Sequence, residues 1–184
     1  MGNPLRVRRP IAELAAKGQV IEIAEKIGNF ERLAGIVEAD LATLDPDKIP
    51  HDWRDSMVTG WLEFGFADAQ KQVVSLVGEL AVTLDAVCQR CLEPFRLSLA
   101  TGLRLLPTTV EQGVSAGNDF EPWELEDERV CPAEIVEEVL IMAMPLSAMH
   151  ENSAACKGYE PADEEAQQTT RPFAALKAQL DQDK

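Results

Sequence analysis

The pair Cys88 and Cys91, inside the run from Leu84 to Phe95, constrains this chain more than any other feature. Two cysteines with two residues between them can place both sulfurs on one side of a tight turn, the geometry that a tetrahedral metal or a reversible disulfide requires. The residues before the pair alternate as a strand does. Val74, Leu76, Leu80, Val82 and Leu84 share one face, with Ser75, Glu79, Thr83 and Asp85 mostly on the other. After the pair, Phe95, Leu97, Leu99, Leu103 and Leu105 alternate against Arg96, Ser98, Ala100 and Arg104. The sequence therefore predicts a β-hairpin with the cysteines at its tip and Pro94 closing the turn where the outgoing strand begins. Upstream, Val58, Gly60, Leu62, Phe64 and Phe66 fall on one face of a further strand, so the middle of the chain reads as an antiparallel meander from about Met57 to Leu106.

A cysteine knuckle usually has a second half elsewhere. Pro132 at a first helical position, followed by Ile135, Val136, Val139, Leu140 and Ala143 on one face and Glu134, Glu137 and Glu138 elsewhere, predicts a helix that ends before Pro145. His150 and Cys156 lie in the loop beyond it, which the helix can return to the hairpin tip. Cys88, Cys91, His150 and Cys156 would make a closed four-ligand zinc site. Three readings of these residues stay open: a structural metal, a redox thiol pair, and cysteines without a ligand role. Cys131, beside Pro132, reads as a small, partly buried residue. Four cysteines, unevenly placed, suit metal or redox use better than a secreted disulfide framework.

The remaining segments are plainer. Arg6, Arg8 and Arg9 form a basic arm expected to be loosely held, with no apolar stretch after it to make a signal peptide, and no run is long and apolar enough to span a bilayer. A cytoplasmic location is expected. Pro10 opens a short helix through Ile11, Leu14 and Ala15, ended by Gly18; Gln19 to Ala24 favours a strand. Asn29 is expected to cap a turn of helix through Phe30, Leu33 and Ala34 that stops at Gly35, and Ala39 to Trp53 reads as loop. The acidic run from Asp119 to Glu128 is a solvated loop or a docking strip for a basic partner. Glu160 to Gln168 is an acidic, polar segment, after which Phe173, Leu176 and Leu180 fall at helical spacing, for packing or for anchoring a partner. The expected organisation is α+β: residues 1–18 as arm and short helix, 19–157 as one domain whose antiparallel meander with its CxxC hairpin is covered on one face by helices, and 158–184 as an acidic tail with a terminal helix.

Charge limits the function. With 17 basic against 32 acidic residues and a net charge of −15, extensive gripping of nucleic-acid phosphates is disfavoured, and a basic protein partner fits better. Arg90 at the hairpin tip, with Arg96 and Arg104 on the outgoing strand, offers one local basic spot for RNA or a partner; the alternative is three ordinary solvated side chains. No GxSxG, P-loop, GxGxxG or HExxH pattern occurs, so the cysteine pair is the one feature with catalytic chemistry, and a thiol–disulfide oxidoreductase is the enzyme alternative to a non-enzymatic role.

The run Val87 to Phe95, the segment Val136 to Pro145 with His150, Glu151 and Cys156 beyond it, and the closing Pro172 to Leu176 together resemble the YceD family, whose members are described as large ribosomal RNA subunit accumulation proteins. The resemblance runs from the hairpin to the C-terminus. It implies a bacterial cytoplasmic, non-enzymatic factor for synthesis, processing or stability of large-subunit ribosomal RNA, meeting a precursor particle or a basic ribosomal protein. Many relatives carry a second, glycine-associated cysteine pair near the C-terminus. This chain has a lone Cys156 there, so a four-ligand set requires His150.

Overall fold

In the computed structural model, which describes residues 3–108, 119–125, 127–152 and 155–156, the chain runs β1 (Arg9–Pro10), α1 (Ile11–Ala16), β2 (Val20–Lys26), α2 (Glu31–Leu41), β3 (Met57–Phe66), β4 (Val74–Val87), β5 (Pro94–Thr108), β6 (Glu121–Glu124), β7 (Arg129–Val130) and α3 (Pro132–Ala143). A five-stranded sheet has the order β2-β3-β4-β5-β6, and β1 pairs separately with β7. Strands β3 to β5 are antiparallel neighbours, as the meander predicts; β2 joins β3 antiparallel outside the predicted meander, and β6 joins β5 in parallel. The fold is α+β, with helices packed on strands.

Register follows from the alternation. In β4 and β5, Leu76 faces Leu105, Leu80 faces Thr101 and Leu84 faces Leu97. The even-numbered side of β4 is thereby committed to the core, since a slip of one residue would turn every leucine to water. Leu62, Phe64, Leu76, Leu80 and Leu84 on the sheet join Leu14 of α1, Leu33 and Val37 of α2, and Val136 and Leu140 of α3 in one buried cluster. Gly60 sits within β3 at φ +148, and a Cβ there would collide with the carbonyl oxygen of Glu79 on β4. Only glycine fits a strand crossing this close.

Several expectations are corrected. Asn29 does not cap α2: the N-cap is Phe30, without a side-chain bond, and the Asn29 side chain instead donates to Glu25. Gly35 does not stop the helix, which continues to Leu41, because its apolar stripe of Leu33, Ala34, Val37 and Leu41 is buried and holds the glycine inside it. The missing cap comes from another element: Leu33 N donates to Oε1 of Glu137 on α3 at 2.9 Å. Glu137, expected off the buried face, is only 8% exposed. The basic arm is also packed. Leu5 is buried, Arg8 pairs with Glu134 at 2.6 Å, and β1 pairs with β7. The acidic run is not all loop, since Glu121–Glu124 extends the sheet beside Leu105–Thr108 and its Trp123 packs against the core while both glutamates stay exposed. The expected terminal helix through Phe173, Leu176 and Leu180, and Glu126 of the acidic run, lie outside the described residues.

Candidate metal centre

The hairpin tip is closed by its own backbone. Cys88 N donates to the Glu93 carbonyl at 3.0 Å and Leu92 N to the Cys88 carbonyl at 2.8 Å, so residues 88–93 form one tight turn. Leu92 takes φ +57 to complete it, a left-handed conformation that costs a residue with a Cβ about 1–2 kcal/mol. Cys88 and Cys91 thereby point the same way. The second half arrives from α3: the helix ends at Ala143, Pro145 forbids a further turn, and Gln89 N donates to the Ala148 carbonyl at 2.8 Å, lacing the returning loop to the hairpin. This bond sets His150 beside the cysteines, and Cys156 follows.

The four donor atoms lie within 4.8 Å of one another. Cys88 Sγ is 3.9 Å from Cys156 Sγ, Cys91 Sγ is 3.6 Å from His150 Nδ1, and Cys156 Sγ is 3.5 Å from the same nitrogen. Around a tetrahedral zinc with its usual bond lengths, sulfurs stand about 3.8 Å apart and a sulfur and a nitrogen about 3.6 Å. Three of the donor pairs therefore stand at zinc-like separations, and a set within 4.8 Å needs only small side-chain shifts to close on one ion. Cys88 and Cys156 are buried, Cys91 and His150 half-buried, and all four cysteines of the chain are free thiols. His150 is steadied by Phe95, whose ring centroid is 4.8 Å away and tilted by 39°.

Electrostatics favour a thiolate at one position in particular. Burial pushes the Cys88 thiol up, but backbone N–H groups of Cys91, His150 and Arg90, together with the His150 side chain, outweigh it and bring it down to about 5. Cys156 moves the other way, raised by burial and by the facing Cys91 and Cys88 sulfurs. One negative charge thus forms readily in the cluster and further ones repel it, a balance that a bound cation reverses.

The three arginines are dispersed rather than gathered. Arg90 stands at the cluster, its Nη1 4.0 Å from Cys156 Sγ and its Nη2 3.8 Å from Met149 Sδ. Arg96 pairs with Asp85 at 3.6 Å. Arg104 lies over the Phe120 ring at 4.9 Å, eight residues along β5 from Arg96 and so roughly 27 Å away. Asp85 is 6% exposed and its Oδ2 has no hydrogen-bond partner; burial raises its carboxyl, Arg96 lowers it and Asp52 raises it further. Cys131 is apart from the cluster, buried and donating to the Leu5 carbonyl. The supporting parts that motif reading missed are Phe95 and the Ala148 carbonyl. Phe95 was legible only as an apolar strand residue, and a backbone acceptor has no sequence signal.

A family model described as large ribosomal RNA subunit accumulation protein YceD matches residues 76–180. A curated protein of that name from Haemophilus influenzae is 33% identical over 129 residues, which is 66% of this chain and 72% of the relative. No solved structure matches the chain. Among the described residues no helix is long and apolar enough to cross a membrane.

Proposed function

This chain belongs to the YceD family, and from that membership we propose that it is a non-enzymatic factor supporting the accumulation of large-subunit ribosomal RNA in ribosome biogenesis, with a structural zinc at the hairpin tip. The observation that carries the structural part is the closed donor set: Cys88, Cys91, His150 and Cys156 supply four ligands, and two of them are buried. A catalytic zinc keeps one position for water or substrate, and here the protein fills all four. When bound, the ion would hold three thiolates and one imidazole together and join the hairpin to the segment after α3. Residues 88–91, 148–152 and 155–156 would then present one rigid surface, with Arg90 as its basic contact to an RNA–protein particle or a basic ribosomal protein; Arg96 and Arg104 would be separate contacts along β5.

The lowered Cys88 thiol favours one other reading, a thiol–disulfide exchange centre. Against it, Cys88 has 0% exposure, so no substrate disulfide reaches its sulfur, and a lowered thiol serves a metal ligand equally well.

Elemental analysis of the freshly reduced protein, purified without added metal, tests the reading together with its Cys88→Ser variant. About one zinc per chain, lost in the variant, is expected, and a strain carrying only the variant should accumulate less large-subunit ribosomal RNA. Metal-free wild type would overturn the zinc. Unchanged ribosomal RNA in a strain lacking the protein would overturn the biogenesis role.

A further inference from the structure

Among the described residues, most of β5 has a strand on one side only. Strand β5 is 15 residues long, but β6 pairs only with Leu105 to Thr108. From Phe95 to Arg104 no described strand lies on the outer side of β5. Exposed edges are normally short, charged, bulged or covered, whereas the stretch Ser98 to Leu103 has neither a charge nor a proline. Beside it is a cavity of ≈ 620 Å³, walled on one side by Gly102 and Leu103 and on the other by Val139 and Met142 of the last turns of α3. Met142 is 69% exposed. A strand edge facing a helix across a groove is the arrangement that accepts an extended peptide as an added strand.

The groove has a strong charge preference. Glu79, Asp119 and Glu121 line it against a single guanidinium, that of Arg104, which lies over Phe120. Across the open face of the sheet, Trp61 stands in register between Glu22 and Glu79, and Glu79 stands opposite Gly102. An added strand beside β5 would turn alternate side chains to that face, where carboxylates and an indole ring suit ammonium and guanidinium groups. The intervening side chains would face Leu103 and Met142, which suit apolar ones.

We propose that the groove between β5 and α3 binds an extended segment of another protein in which basic and apolar residues alternate, added as a strand along Ser98 to Leu103. The choice of a basic partner rests on the biogenesis reading, while the groove, roughly 27 Å along β5 from Pro94 at the knuckle, is independent of any metal.

The test uses the full chain as purified and a fluorescein-labelled ten-residue peptide alternating lysine with valine and threonine, beside a control peptide with glutamate for lysine. Fluorescence anisotropy at physiological salt should show binding of the lysine peptide alone. The double variant Glu79→Lys, Glu121→Lys should weaken it at least tenfold, and Met142→Asp several-fold, while Asp45→Lys, Asp47→Lys, which changes the net charge equally in an exposed turn, should leave it within twofold. Those amides between Ser98 and Leu103 that point away from β4 should gain hydrogen-exchange protection when the peptide binds. Absence of binding, equal binding of the glutamate peptide, equal loss in both double variants, or unchanged protection at these amides would each overturn the proposal. So would protection, in the free monomer, of those amides in this stretch that do not bond to β4, which means the edge is already covered, or their protection through dimerisation, which puts a second copy there. Zinc content and ribosomal RNA level are read separately, so any of these failures leaves the biogenesis reading standing.

Discussion

Replacing Glu137 should cost far more than its place on a helix surface suggests. The α2 helix begins at Glu31 with no side-chain cap of its own, and its Leu33 amide is satisfied by a carboxylate from α3. Removing an N-cap acceptor costs ~1 kcal/mol, a charged acceptor in a hydrogen bond contributes about 1.5–3 kcal/mol, and a partly buried anion at a helix N-terminus gains up to about 2 kcal/mol from the dipole. These descriptions overlap, so Glu137→Ala should lose about 2–3 kcal/mol rather than their sum. Glu137→Gln keeps an acceptor and gives up the charge, for a loss of about 1 kcal/mol. In a chain of this size the shifts correspond to roughly 4–12 °C and 2–4 °C in Tm. Urea unfolding followed by circular dichroism, with an unchanged slope on denaturant, reports both. Glu138 is the control: it is the next residue, paired with Arg32 across the same two helices at 2.7 Å but half-exposed, and Glu138→Ala should shift the midpoint little. A Glu137→Ala protein no less stable than Glu138→Ala would falsify the cap supplied from α3, and equal losses in Ala and Gln would show that the charge, rather than the shape or the neutral acceptor, accounts for the whole contribution at this site.

Other perturbations read different parts of the molecule. His150→Cys should retain zinc because thiolate replaces imidazole, Cys156→Ser should lose most of it, and Cys131→Ser should keep it, all by elemental analysis. Retention in Cys156→Ser would remove that residue from the ligand set. Gly60→Ala should lose about 3 kcal/mol or express as insoluble protein, because it combines a disfavoured φ with a collision against the Glu79 carbonyl; a thermal scan showing wild-type stability would refute the close approach. Asp85 carries a raised carboxyl. Its contribution is therefore fully present below the usual aspartate range and is lost as pH rises through the raised value. Asp85→Asn should thus gain stability relative to wild type as pH increases over that window, and a gap that narrows with pH would reverse the sign.

The hairpin and α3 were legible because each is written in a strict period. Alternating leucines from Leu76 to Leu84 can bury one face only as a strand, and Ile135, Val136, Val139 and Leu140 can do so only as a helix. The four donors were legible as an inventory of soft ligands, while their meeting depended on the Gln89 amide finding the Ala148 carbonyl, a backbone pairing that side chains do not announce. Strand β6 was hidden because Glu-Pro-Trp-Glu has poor strand propensity and owes its extension to the neighbouring edge of β5. The length of α2 was hidden by Gly35, a stop signal overridden by burial on both sides of it. Glu137 was misplaced for the opposite reason: a charged residue reads as solvent-facing until a partner amide from a distant helix is known.

Were the four donors to share an ion as proposed, their spacing in the chain would impose an order in time. Cys156 lies 68 residues after Cys88, so at synthesis rates of 5–20 residues per second the hairpin thiols precede their last partner by about 3–14 s. During that interval the nascent chain holds only half of a clasp, open to oxidation and to whatever cation arrives. Arrival of Cys156, not completion of the chain, is what would close the proposed site, and a chain stopped between the two halves would carry β4 and β5 without their last donor.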